Sequence, residues 1–187
     1  MESLDDVLLE SDDKMGKSVE LLQKELGGLR TGKASPSLVE NVQVDYYGAQ
    51  TRLREIANIA TPEPRLLVIN PYDPTSIGAI EKAILAANIG ITPLSDGRVL
   101  RIPVPELSEE RRRELVKVGK KYAEDARVAI RNVRRDANEL IKGLQKNSRI
   151  TEDERDAGLA EIQKYTDQYI QKVDALLAAK EKEVMLV

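Results

Sequence analysis

Both ends of this chain carry a helical period and its middle does not, and that division limits what the chain can fold into. Leu8, Met15, Val19, Leu22, Leu26 and Leu29 recur at steps of three, four or seven, which predicts a helix over residues 4–29. The period returns over residues 108–147, and again over 152–185, where Leu159, Ile162, Tyr169, Val173 and Leu176 form the seam. Ser3 with Asp6 and Thr151 with Glu154 have capping-box spacing. Ser108 is a suitable N-cap, and Glu109 and Glu110 follow it near the positive end of the helix dipole. Residues 147–151 then form a tight turn between antiparallel helices. At about 1.5 Å per residue the three helices are roughly 39, 60 and 50 Å long. Three such helices make a rod.

The middle reads as strands. Over residues 38–47, Val42, Val44 and Tyr46 alternate with polar residues, the pattern of a half-buried strand ended by Gly48. Short strands follow over 51–53 and 56–60. The apolar run 66–69, closed by Asn70-Pro71, reads as a buried strand, and 99–102 as the last one. Between them Asp73 as N-cap and Pro74 at the first helical position start a short helix. Ile77, Ile80, Ile84 and Leu85 form its apolar face, and Asn88 and Gly90 stop it. The expected class is α+β: a discontinuous helical bundle, residues 1–30 plus 105–187, with a small β/α/β domain, residues 31–104, inserted in it. The chain leaves the bundle through Thr31 and Gly32 and returns through Pro103-Val104-Pro105. These five residues are read as a hinge, because little apolar sequence is left to glue the insert to the rod; two plain loops between packed domains is the other reading. The terminal Val184-Met185-Leu186-Val187 either frays or folds back onto the junction.

Composition narrows the chemistry. The chain has no His and no Cys, which removes imidazole bases, thiolate nucleophiles and the usual transition-metal ligands. No nucleophile–base pair, metal cluster or phosphate loop can be assembled, so neither catalysis nor a cofactor or metal is expected. The acidic start is unlike a secretory or transit signal, and no apolar run approaches a membrane span. A cytoplasmic protein without a membrane partner is expected.

The net charge of −3 conceals an asymmetry. Residues 111–149 hold thirteen Lys or Arg against five Asp or Glu, while residues 1–30 and 150–187 are each acidic by four. At about 100° per residue, Arg113, Lys117, Lys120, Arg127, Arg131, Arg134, Arg135, Lys142 and Arg149 share an arc of roughly 100°. Glu114, Asp125, Asp136 and Glu139 lie to one side, with Glu124 intruding among the bases. Leu115, Tyr122, Ala126, Val133, Leu140 and Leu144 line another side. Like charges at i,i+4 each cost about 0.2–0.5 kcal/mol in an isolated helix. Such a stripe is therefore mildly unfavourable unless something anionic lies against it, and a long polyanion suits it. The bland alternative is a solvated face laced by Glu124–Arg127 and Arg135–Glu139 pairs. Tyr122, Tyr165 and Tyr169 fall near the helical seams and belong to the core. At most one of Tyr46 and Tyr47 is buried. With no stacking platform, RNA would be bound by shape rather than by base.

Several strings are similar to those of a known family. Residues 30–38 (Arg-Thr-Gly-Lys-Ala-Ser-Pro-Ser-Leu) resemble the first interdomain connection of the ribosome recycling factors, and Val44-Asp45-Tyr46-Tyr47-Gly48 their first strand and turn. Residues 105–112 (Pro-Glu-Leu-Ser-Glu-Glu-Arg-Arg) resemble the return into the second helix. Residues 126–137 (Ala-Arg-Val-Ala-Ile-Arg-Asn-Val-Arg-Arg-Asp-Ala) are the most specific match. The likeness spans essentially the whole chain, in the family's order. Lys33 stands where arginine is common, Ser108 where threonine is common, and Gly27-Gly28 weakens the end of the first helix. The resemblance implies an L-shaped, monomeric, non-catalytic translation factor. It implies that the rod lies on the RNA of the large ribosomal subunit, and that with elongation factor G and GTP the factor takes apart the post-termination ribosome, releasing mRNA and deacylated tRNA. It places RNA contacts at Arg131 and Arg134, and at Arg30 and Lys33 by the junction. Lys120, Arg127 and Arg135 join them as members of the stripe. An RNA-binding or tRNA-mimicking adapter, and a helical scaffold with an incidental basic face, are the competing readings.

Overall fold

The computed structural model describes residues 3–29 and 31–186. In chain order its elements are α1 (Leu4–Gly27), β1 (Gln43–Tyr46), β2 (Ala49–Arg52), α2 (Leu53–Ile56), β3 (Ala57–Glu63), β4 (Leu66–Pro71), α3 (Ile77–Ala86), β5 (Leu94–Ser95), β6 (Leu100–Pro103), α4 (Glu109–Lys146) and α5 (Glu152–Met185). They gather into two units, one of Met1–Thr31 with Glu109–Val187, the other of Gly32–Ser108.

The helical unit begins at the cap that its sequence encodes. Ser3 Oγ accepts the Asp6 N–H at 3.1 Å, and Asp6 accepts the Ser3 N–H at 2.9 Å. Two of the unpaired N–H groups that every helix start exposes are satisfied this way. α1 stops at the paired glycines, where the Gly28 N–H is shared between the Lys24 and Glu25 carbonyls at 3.2 Å each. The Thr151–Glu154 box starts α5 in the same manner, with contacts of 2.7 and 3.1 Å. Between α4 and α5 the chain reverses at Ser148, whose φ is 57°. Contacts between the two helices pair rising numbers with falling ones, Arg127 with Asp174 and Gly119 with Leu177, so they run antiparallel.

The core has two clusters. One holds Met15, Leu22, Leu26, Ala123, Ala126, Ile130 and Val173; the other Val7, Ala137, Ile141 and Ile162. This corrects the expected seams. Val7 rather than Leu8 is fully buried in α1, and Ile130 and Ile141 rather than Leu140 in α4. α4 packs against two helices at once, so its buried arc is centred between them and takes in Gly119, Ala123 and Ala137, whose small side chains let the neighbours approach. At Gly158 of α5 a Cβ would lie 2.8 Å from Leu4 Cδ1, so the close packing there requires glycine or a displaced leucine. The buried hydroxyls of Ser11 and Thr166 return to their own helix, donating to Val7 O at 2.6 Å and Ile162 O at 2.8 Å. α5 continues to Met185 with Val184 buried, while Met185 and Leu186 are exposed. Val187 lies outside the described residues.

The seam tyrosines are partly buried, as expected, and one bridges helices: Tyr169 donates its hydroxyl to Asp12 at 2.6 Å. That bond to a carboxylate, followed by burial, pushes the Tyr169 phenol from its ordinary 10.0 up to about 12. The neutral phenol is the bonded form, so its contribution to stability is complete below pH about 10 and is lost as pH rises through about 12. Absorbance titration should show this tyrosine ionising after the exposed ones. Tyr169→Phe should abolish the late step and cost about 1 kcal/mol at neutral pH.

The inserted unit is antiparallel throughout. β1 and β2 form a hairpin with Val44 opposite Thr51. Its turn places Tyr47 and Gly48 at φ 51° and 84°, the left-handed pair that suits the strand twist. The larger sheet has the order β3-β4-β6-β5. Ile80 and Ile84 of α3 join Val44, Leu67, Ile69, Leu100 and Ile102 in one core. Several expected elements are revised. Leu38 lies in a 3-10 turn, Pro36–Leu38, before the strand begins. Residues 53–56, read as partly strand, make one turn of α-helix. In β4 only Leu67 and Ile69 of the apolar run are fully buried, because a single face of the sheet is covered. Asp73 does cap, accepting the Thr75 N–H at 3.0 Å, but the turn that it starts is 3-10 and α3 follows at Ile77. Leu85 faces solvent. No helix among the described residues is long and apolar enough to cross a membrane.

Candidate nucleic-acid interface

α4 sorts its charges by neighbour. Asp125 lines a groove with Ser18, Leu21 and Glu25 of α1, and Asp136 lines another with Val7, Glu10 and Ser11. Arg127, on the opposite flank of the buried arc, reaches Asp174 of α5. Asp125 and Asp136 therefore border α1, and Arg127 borders α5. Such a separation leaves one flank of the helix strongly positive and the other negative.

Part of the stripe is engaged by carboxylates. Arg127 donates from Nη2 and Nε to Asp174 Oδ1 at 2.6 and 3.0 Å, and from Nη1 to Glu124 Oε2 at 3.2 Å. Its side chain is only 20% exposed, and the bond to Asp174 raises its already high pKa. This guanidinium is an interhelical strut. Arg131 donates from Nη1 to Glu124 Oε1 at 3.3 Å, and Arg113 pairs with Glu109. The Glu124–Arg127 pair of the bland reading thus exists, whereas Arg135 forms no pair with Glu139. Among the described residues, the side chains of Lys117, Lys120, Arg134, Arg135 and Lys142 have neither an ion pair nor a hydrogen bond. Asp174 could not be found from the period of α4. It lies 47 residues away, on a helix whose acids all look alike in sequence.

At the junction, Lys33 is exposed and without a partner among the described residues, and Arg30 lies outside them. The residues read as a hinge divide. Pro103 pairs with Leu66 across β4 and β6. Val104 is 3% exposed and donates its N–H to Arg65 O at 2.8 Å. The sheet holds Pro103, and the core of the insert holds Val104. Gly32 has φ +77°, where a Cβ would also sit 3.4 Å from Leu107 Cγ. Among the described residues, Thr31 and Pro105 make no such backbone hydrogen bond. Tyr47 stands exposed, stacked edge-on to Tyr46 and bonded to Asp73, and offers no stacking row for bases.

The family model described as ribosome recycling factor matches residues 22–185. The ribosome-recycling factor of Bacillus subtilis (strain 168) is 56% identical over 182 residues, 97% of this chain and 98% of that protein. That of Carboxydothermus hydrogenoformans is 53% identical over 184 residues, 98% of this chain and all of the relative. A solution structure of a ribosome recycling factor superposes over the whole of both chains with a TM-score of 0.81 at 42% identity. A second match, with a TM-score of 0.67, 44% identity and 99% of this chain covered, is the T. thermophilus ribosome recycling factor which, with E. coli elongation factor G, is bound to the E. coli post-termination complex.

Proposed function

This chain belongs to the ribosome recycling factor family, and from that membership we propose that its basic flank of α4 is the surface by which it grips large-subunit RNA during recycling. It is a translation factor of the post-termination ribosome, it acts with elongation factor G, and it is not an enzyme. Its residues supply contacts and rigidity, while GTP hydrolysis by the partner supplies the work. The subunits part, and mRNA and deacylated tRNA leave. The observation that carries the RNA reading is the row of unpaired cations: Lys117, Lys120, Arg134, Arg135 and Lys142, with Arg131 held among them by a single 3.3 Å contact. Arginine suits this task because its planar fork engages two phosphate oxygens. Arg127 supports the row by tying α4 to α5, and Lys33 and Arg30 extend the contact at the junction. The reaction takes place in the cytoplasm, with the factor as a monomer.

Light scattering tests the function directly. With post-termination ribosomes, scattering should fall only when this chain, elongation factor G and GTP are all present. Binding without such a fall would overturn the reading in favour of a passive RNA adapter.

The pivot between the units is placed at Thr31, Gly32 and Pro105. Proline requires φ near −65°, which the +77° of Gly32 excludes. Gly32→Pro should slow splitting about tenfold, equal to about 1.4 kcal/mol of barrier, while large-subunit affinity changes little. Equal losses of binding and splitting would show that the junction only positions the units.

A further inference from the structure

Glu124 is a carboxylate set among the bases of α4, and its two oxygens are divided between neighbours, Oε2 to Arg127 at 3.2 Å and Oε1 to Arg131 at 3.3 Å. Both contacts are longer than the 2.7–2.9 Å of a strong charge-assisted bond. Arg127 is independently fixed by Asp174 at 2.6 Å and is largely covered. Arg131 has no other partner among the described residues, and its side chain is 47% exposed. Arg131 lies seven positions beyond Glu124, two turns on, so its side chain leans back along the helix to reach it, the direction that helical side chains favour. Arg127, Arg131, Glu124 and Asp174 together carry no net charge.

We propose that Glu124 is a specificity residue: it occupies Arg131 in the free protein and yields it only to a phosphate that the rest of the ridge has already placed. The proposal rests on the basic flank being the RNA-facing surface. An exposed ion pair with long contacts is weak, so a fixed phosphate accepting two bonds from the guanidinium displaces it. A polyanion that meets the ridge in the wrong register does not, and it finds Arg131 already neutralised by Glu124. After exchange Glu124 still has Arg127, so no carboxylate is left without a cation. Specificity is a difference of affinities, and a contact withheld from wrong partners enlarges it.

The test uses the full chain, with binding to purified large subunits and to an unrelated RNA duplex measured over a range of salt. Glu124→Gln should bind the unrelated duplex about three- to tenfold more tightly at low salt, with a steeper salt dependence. Its gain on large subunits should be smaller, so the ratio of the two affinities falls. In an Arg131→Gln background, adding Glu124→Gln should bring little further gain. Unchanged or weaker duplex binding overturns the proposal. So does a gain that persists undiminished without Arg131, which would make Glu124 a diffuse charge only. Thermal melting of each variant separates these results from a loosened Arg127 strut. Failure of the underlying reading shows differently: Arg131→Gln with Arg134→Gln would then leave large-subunit binding unaltered.

Discussion

Reversing Arg131 and Arg134 together to Glu should reduce affinity for the large ribosomal subunit by about two to four orders of magnitude. A hydrogen bond to a charged group contributes about 1.5–3 kcal/mol, so two lost phosphate contacts amount to about 3–6 kcal/mol at roughly 1.4 kcal/mol per decade. The change is from two cations to two anions, and the new carboxylates also repel the backbone that the ridge approaches. Because each phosphate contact contributes about 0.9 to the slope of log affinity against log salt, that slope should flatten by about two. Folding should be spared. Arg131 is exposed and Arg134 is without a partner among the described residues, so neither holds the bundle together. Surface substitutions of this kind stay within about 0.5 kcal/mol. Arg127→Glu should behave otherwise: it removes the 2.6 Å bridge to Asp174 and faces two carboxylates, so its loss of binding should come with a lower melting temperature.

The largest effect on stability should come from Ile130→Ala. Ile130 is fully buried, in a cluster with Met15, Leu22 and Val173. Truncating such a side chain removes buried apolar area and leaves a cavity that helices packed on both sides cannot close, at a cost of about 2–5 kcal/mol. Urea unfolding followed by circular dichroism should show a lower midpoint with an unchanged slope. Leu140→Ala, at a position that periodicity alone puts on the apolar side, should cost under about 1 kcal/mol, because Leu140 is 45% exposed. The opposite order would mean that the buried arc of α4 is centred elsewhere.

That contrast shows where the sequence was informative. Helix starts were legible because a cap is a local device: Ser3 and Asp6, or Thr151 and Glu154, satisfy one another within four residues. Helix lengths followed from sustained periodicity. The centre of each buried arc did not, since it depends on how many neighbours a helix has, and Ala123 and Ala137 carry no sign that they lie at a contact. In the insert the long apolar and alternating runs were legible, while β5, two residues long and exposed, had no pattern to read. The basic residues of α4 could be grouped from spacing. Which of them are engaged could not, because Asp174 arrives from another helix. At the junction glycine and proline mark an irregular backbone, yet Pro103 is an ordinary partner of Leu66 in the sheet.

A tethered radical probe tests most directly whether the basic flank faces ribosomal RNA. The chain has no cysteine, so Lys120→Cys and Asp136→Cys each give a single attachment point, one on the basic side of α4 and one on the side bordering α1. With an iron chelate attached and the factor bound to large subunits, position 120 should cut the ribosomal RNA strongly and position 136 weakly or not at all. Strong cutting from position 136 with none from position 120 would contradict the account.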